Sequence, residues 1–160
     1  MSYAIVYKSR TGNTELLART IRDTLPQQEC IYFGTPDEKA LQADVIYVGF
    51  WTDKGTCDED IAGFLKSLTT QQVFLFGTAG FGGAEAYFAQ ILARVQENLG
   101  KDARLVGAYM CQGKMPAAVR ARYEAMEAGP RRNAMLQNFD AAQSHPDAQD
   151  LARLCASVKG

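Results

Sequence analysis

Short apolar runs alternate with amphipathic stretches along most of this chain. Ala4-Ile5-Val6-Tyr7, Cys30-Ile31-Tyr32-Phe33, Val45-Ile46-Tyr47-Val48-Gly49-Phe50, Val73-Phe74-Leu75-Phe76 and Leu105-Val106-Gly107-Ala108-Tyr109-Met110 have the length and the β-branched or aromatic content of strands. The third is apolar throughout, as suits a central strand buried on both faces. Between the runs the period changes. Leu17, Ile21 and Leu25 recur at helical spacing up to Pro26; Ile61, Phe64, Leu65 and Leu68 follow a capping Asp58. Phe88, Ile91, Leu92, Val95 and Leu99 mark a helix over residues 84–99 that Gly100 stops. Leu151, Leu154, Cys155 and Val158 mark a last helix entered at Pro146 or Asp147, and residues 37–44 hold one helical turn. Each stripe has its start or stop signal.

Such alternation builds right-handed βαβ crossovers and a sheet covered on both faces. The predicted fold is therefore α/β: a doubly wound five-stranded parallel sheet of order 2-1-3-4-5, one domain over residues 1–160. Ligands in such sheets bind outside the carboxyl ends of the strands, where the winding reverses. The loops there are residues 9–14, 51–57 and 77–83. One segment departs from the repeat: residues 112–145 separate strand five from the last helix, where a crossover needs only a few. Pro116 opens a helix there with Val119, Tyr123 and Met126 on one side, and Gly129-Pro130 ends it. Residues 133–139 make a second short helix with Met135, Leu136 and Phe139 to bury. This helical insertion leaves from the carboxyl edge, beside the three loops.

The first loop, Ser9-Arg10-Thr11-Gly12-Asn13-Thr14, joins a strand to a helix. It is rich in hydroxyls and has a Gly able to take positive φ. Such a turn gathers unpaired N–H groups, hydroxyls and a helix N-terminus at one spot, which suits a phosphate. The alternative is a ligand-free turn capped by Asn13 or Thr14, but the donors exceed what capping needs. No Lys follows Gly12, so this is no Walker A loop, and G-x-G-x-x-G is absent from the turn. What remains is a monophosphate site built mainly from neutral donors. Trp51 either stacks on a flat ligand or closes the core at the sheet end. Gly77-Thr78-Ala79-Gly80-Phe81-Gly82-Gly83 either lets backbone approach a ligand or is a plain turn.

Composition narrows the function. The net charge is −1 and no Lys/Arg block exceeds a pair, so a nucleic-acid footprint is missing. The longest apolar run, residues 45–51, is far short of the roughly 20 residues of a membrane span. Met1-Ser2-Tyr3 leads straight into the first strand, which leaves no signal peptide and points to the cytoplasm. Cys30, Cys57, Cys111 and Cys155 lie far apart, without the C-x-x-C of structural zinc or an iron–sulfur cluster. Cys57 and Cys111 fall at carboxyl strand ends and read as small buried hydrophobes rather than redox thiols. His145 is the only His and fits a helix-entry role, so no Ser-His-Asp or Cys-His set can be assembled. No catalytic residue and no metal ligand is assigned.

On these motifs the chain resembles the flavodoxin family along nearly its whole length, with Ser9 to Thr14 matching the family's phosphate loop. Ala43-Asp44 and the third strand resemble the lead-in to the first flavin-contacting loop, and Trp51 stands where the family often places a stacking aromatic. Phe50-Trp51-Thr52-Asp53-Lys54-Gly55-Thr56 and Cys111-Gln112-Gly113-Lys114-Met115 are similar to a flavodoxin-like subgroup associated with bilirubin reduction. The resemblance implies flavin mononucleotide (FMN) held by Ser9, Arg10, Thr11, Gly12, Asn13 and Thr14 at its phosphate. It implies Trp51, Thr52, Asp53, Lys54 and Gly55 on one side of the ring, and Thr78, Ala79, Gly80, Phe81 and Gly82 at its pyrimidine edge. The sequence departs from the family in three ways. The chain is nearly neutral where many flavodoxins are strongly acidic, Thr52 replaces the usual Gly, and only Phe81 offers a second stacking aromatic. Asp53 and Asp58 beside the ring would lower its potential, and Lys54 would offset part of that. The implied function is an FMN electron-transfer protein, a monomer shuttling electrons from a flavin or iron–sulfur reductase to an acceptor oxidoreductase. The alternatives are a small FMN-dependent reductase with its own substrate under the insertion, or a flavin-free interaction module.

Overall fold

β1 (Tyr3–Tyr7) lies between β2 (Cys30–Gly34) and β3 (Val45–Trp51), and β4 (Gln72–Ala79) and β5 (Arg104–Gln112) extend the sheet. The computed structural model, which describes every residue except Gly83, has the expected order β2-β1-β3-β4-β5 with every pair parallel. Alternation along β1 shows how the sheet is covered. Ala4 and Val6 pack with Ile61, Phe64 and Leu65 of α2 (Glu59–Ser67) and Ile91 and Val95 of α3 (Glu85–Gln96). Tyr3 and Ile5 pack with Leu17 and Ile21 of α1 (Asn13–Thr24) and Leu154 of α6 (Ala148–Lys159). Successive strand side chains point to opposite faces, so one sheet carries two cores.

The carboxyl ends of β3 and β4 interlock. Gly49 pairs with Phe76 and Phe50 with Gly77 across the ladder. A Cβ at Gly49 would lie 2.3 Å from the Phe76 ring, and one at Gly77 would lie 2.4 Å from the Phe50 ring. Each glycine is thus the space for its neighbour's ring, with Phe50 in one core and Phe76 in the other.

Several elements differ from expectation. β4 runs three residues past Phe76 to Ala79, because Gly77 and Thr78 still pair with Phe50 and Trp51, so the first three residues of the loop expected over 77–83 are strand. β5 runs two residues past Met110, because Cys111 and Gln112 still pair with Thr78 and Ala79. α3 ends at Gln96, and the chain reaches Gly100 through a tighter turn in which Leu99 N–H donates to Gln96 O. In the insertion, α4 (Ala117–Glu124) is followed by α5 (Pro130–Ala142), longer than residues 133–139. Pro130 opens α5 rather than closing α4, at the one helical position where its missing N–H costs nothing. Arg120 ties α4 to α5 through a bidentate pair with Asp140 at 3.1 and 3.2 Å. The base of the insertion closes where Lys114 N–H donates to the His145 carbonyl at 2.9 Å. Among the described residues no helix is long and apolar enough to cross a membrane.

Candidate functional site

The turn after β1 leaves donors open. Gly12 precedes α1 with φ 90°, a left-handed conformation that side chains resist. Ser9 Oγ accepts from the N–H groups of Gly12 and Glu15, at 3.1 and 3.2 Å. Ser9 therefore does the capping that Asn13 or Thr14 would have done in a ligand-free turn. Among the described residues, the N–H groups of Thr11, Asn13 and Thr14 find no partner, and they stand at a helix N-terminus where an anion is favoured.

The side chains of Asn13 and Thr14 face inward. Thr14 is fully buried. Its hydroxyl donates to the Phe50 carbonyl at 3.2 Å and lies 3.2 Å from Thr78 Oγ1, so the single Thr78 proton completes that pair. Asn13 Nδ2 donates to the Lys114 carbonyl at 2.8 Å, across to the start of the insertion. Gly113 makes that approach possible, since a Cβ there would sit 2.4 Å from Asn13 Nδ2.

The other two loops are fastened to the same centre. Thr52 donates to the Thr78 carbonyl from its N–H at 2.9 Å and from Oγ1 at 2.8 Å. Asp53 and Thr56 exchange N–H···O bonds at 2.8 and 3.1 Å, and between them Lys54 and Gly55 have φ 52° and 84°. Two left-handed residues in succession make the tight hairpin turn of a two-residue loop. The Gly80 carbonyl accepts from Gln112 Nε2 at 3.0 Å and from Asn138 Nδ2 at 3.1 Å, so β5 and α5 hold the glycine loop in place. Gly83, the last residue of the loop expected over 77–83, lies outside the described residues.

These turns enclose a cavity of about 350 Å³. Arg10, Thr11 and Asn13 line it from the first turn, and Trp51, Thr52, Lys54 and Gly55 from the second. Thr78, Ala79, Gly80 and Phe81 line it from the third. Ser9, Gly12, Thr14, Asp53 and Gly82 are outside the wall: Ser9 Oγ holds the N–H groups of Gly12 and Glu15, the Thr14 hydroxyl turns to Phe50 and Thr78, and Gly82 abuts Gln112. The carboxylates of Asp53 and Asp58 likewise line a separate depression with Glu59 and Asp60. The Arg10 guanidinium lies over the Trp51 ring, 5.4 Å from its centroid.

The insertion, expected beside the three loops, supplies part of the wall, though the sequence assigned none of its residues to the site. Tyr87 comes from the first turn of α3, and Lys114, Met115, Val119, Arg122 and Tyr123 come from the insertion. The apolar stripe Val119–Tyr123 is visible as a helix face, and the insertion's exit at the carboxyl edge puts it near the loops, but no local pattern says which of its residues reach the cavity. A Cβ at Gly80 would lie 2.5 Å from Met115 Sδ, which shows how closely the insertion sits on that loop.

The sequence profile of the Flavodoxin domain matches residues 4–159. The chain belongs to the flavodoxin family. It is 42% identical to the flavodoxin-like domain-containing protein BilS of Clostridium symbiosum (strain WAL-14163), over 95% of this chain and 91% of that protein. It is 31% identical to the BilS of Clostridioides difficile (strain CD3), over 94% and 90% respectively. Among solved structures, the two-electron reduced flavodoxin of Megasphaera elsdenii superposes with a TM-score of 0.51 at 22% identity, covering 88% of this chain and 99% of that one. The resemblance to the flavodoxins and to the BilS subgroup therefore holds.

FMN is the cofactor of this family, and the residues fit it. The unpaired N–H groups of the first turn and the hydroxyls of Ser9 and Thr11 match a phosphate. Trp51 and Phe81 offer faces to a flat ring, and Gly80 leaves backbone at the wall. The two nearby thiols are quiet. Burial pushes the Cys57 thiol up, and burial followed by the charge of Asp150 pushes Cys111 up to about 12, so neither is a thiolate at neutral pH. His145, Asp147 and Asp150 form a compact group whose bonds belong to the start of α6. His145 Nδ1 lies 2.6 Å from Asp150 Oδ2, and Asp147 and Asp150 each accept the other's N–H in a capping box. That is the helix-entry role expected of His145.

Proposed function

We propose that the protein is an FMN-dependent electron carrier. The observation that supports this best is the turn of unpaired N–H groups opening on a cavity whose wall carries Trp51. In this reading the FMN phosphate takes the N–H groups of Thr11, Asn13 and Thr14, the hydroxyls of Ser9 and Thr11, and the charge of Arg10. Trp51 covers the ring, the backbone of Thr52, Lys54 and Gly55 borders it, and residues 78–82 meet its pyrimidine edge. The flavin supplies the redox chemistry, while the chain sets orientation, access and potential. Electrons would arrive from a flavin or iron–sulfur reductase and leave to an acceptor oxidoreductase. The carrier acts as a monomer in the cytoplasm, where its free thiols stay reduced.

A second reading is favoured by Met115, Val119 and Tyr123, an apolar wall that the insertion adds to the cavity. A reductase would use that wall to hold a substrate against the flavin. The visible spectrum of the purified protein during stepwise reduction separates the readings. Two resolved one-electron steps support the carrier, and a single two-electron step supports the reductase. A colourless protein that takes up no FMN would overturn both and leave an interaction module.

A further inference from the structure

We propose that the rim of the cavity docks the acidic surface of a redox partner protein. The proposal rests on the FMN reading above and adds the chemistry of the partner. Four cations line the cavity: Arg10, Lys54, Lys114 and Arg122. All four are exposed, and no carboxylate stands in the same wall among the described residues. None of the four takes part in an ion pair among the described residues; the pairs lie elsewhere, as Lys8–Asp60, Arg19–Glu15 and Arg120–Asp140 do. The chain as a whole carries −1, so this is a local field set against the net charge.

The arrangement fits a surface better than a small anion. The four side chains come from the β1–α1 turn, the hairpin turn after β3, the start of the insertion and α4, and they ring an opening instead of converging on a buried point. The FMN phosphate accounts for the neighbourhood of Arg10 and leaves Lys54, Lys114 and Arg122 facing outward. Phe81, 40% exposed and part of the same wall, supplies an apolar anchor inside the charged ring, the combination in which a few buried aromatics carry binding energy and the charged rim steers encounter. Lys54 also lines a neighbouring depression with Asp53, Asp58, Glu59 and Asp60, so the cationic rim made by Arg10, Lys114 and Arg122 gives way to a negative face at Lys54. A partner is therefore attracted on one side and repelled on the other, which fixes its orientation over the flavin.

The test uses the FMN-loaded full chain, reduced with dithionite, and oxidants of opposite charge in stopped flow. Each ferricyanide takes one electron, iron(III) becoming iron(II), so that two oxidise one reduced flavin to FMN, with one proton released from the anionic form or two from the neutral form; tris(phenanthroline)cobalt(III) is the cationic counterpart. The ferricyanide rate should fall as ionic strength rises from about 10 to about 200 mM. Poly-L-glutamate should slow it and poly-L-lysine should not. Lys114→Gln and Arg122→Gln should each lower it by roughly twofold or more, Arg122→Lys should restore it, and Lys101→Gln, at the other edge of the sheet, should leave it unchanged. A ferricyanide rate that rises with salt, as the net negative charge and the FMN phosphate alone would dictate, would overturn the proposal. So would inhibition by poly-L-lysine in place of poly-L-glutamate. Failure to take up FMN would instead remove the functional reading, and the docking role with it.

Discussion

Arg10 and Trp51 cover one another: the guanidinium lies 5.4 Å from the indole centroid, close enough for a cation–π contact of about 0.5–1 kcal/mol at an exposed site. A flavin stacking on that face must displace Arg10, and the freed cation can then meet the phosphate. The two effects oppose each other and can be separated with riboflavin, which has the ring but no phosphate. Arg10→Ala should weaken FMN roughly five- to tenfold, the worth of one charge-assisted contact, while riboflavin affinity holds or rises. Titration followed by quenching of Trp51, the only Trp, measures both. Equal losses for the two ligands would place Arg10 away from the phosphate.

The phosphate turn and the insertion share one fastening, from Asn13 Nδ2 to the Lys114 carbonyl at 2.8 Å. Asn13→Ala should cost about 1 kcal/mol and loosen the insertion. Gly113→Ala should cost more, because its Cβ would drive into the Asn13 amide, and amide and backbone have little room to give. Hydrogen exchange should rise in residues 113–145 of both variants and in β1 of neither. Uniform exchange across the chain would mean that the contact supports the fold as a whole and not the insertion.

The sheet was legible because each strand is a short apolar run whose neighbours change period. The end of β5 was not, since Cys111 and Gln112 read as loop residues and become strand only through pairing with Thr78 and Ala79. Gly129-Pro130 has the pattern of a helix terminator, although Pro is equally favourable at the first position of a helix, where it stands in α5. The phosphate turn was legible as a donor-rich motif, but the use of each donor was not. Asn13 bonds a residue 101 positions away, and no local pattern reports that. The cationic wall was hidden for the same reason: Lys54, Lys114 and Arg122 are isolated in sequence and meet only around the cavity.

Gly55 has φ 84°, and a Cβ there would lie 2.3 Å from Arg94 Nη1, which also donates to the Gly55 carbonyl at 3.3 Å. Gly55→Val therefore strains the hairpin turn by about 1–3 kcal/mol and pushes Arg94 away. Because the turn borders the proposed ring and not the phosphate site, FMN binding should survive with a shifted reduction potential. Spectroelectrochemical titration of the variant checks this. An unchanged potential with FMN still bound would mean that the turn does not touch the ring.

Alkaline pH should unfold this protein earlier than its acidic balance implies. Burial raises the Cys111 thiol from 9.0 to about 12, and it raises the Tyr3 phenol from 10.0 to about 12, with a smaller push from Cys30. Tyr3 Oη is buried with no hydrogen-bond partner among the described residues, so a charge there would be unsolvated. Both groups keep their protons longer in the folded chain than in the unfolded one. Their contribution to stability is thus fully present below about pH 9 and is lost as pH rises from there towards 12. The melting temperature should hold between about pH 6 and 8 and fall steadily above pH 9. Cys111→Val, which keeps the volume buried without a titrating thiol, should make the fall between pH 9 and 10 shallower. A wild-type melting temperature that rose across that interval would contradict the assignment, and a Cys111→Val slope equal to wild type would move the effect onto the other groups that burial raises, Cys57 and Tyr3 among them.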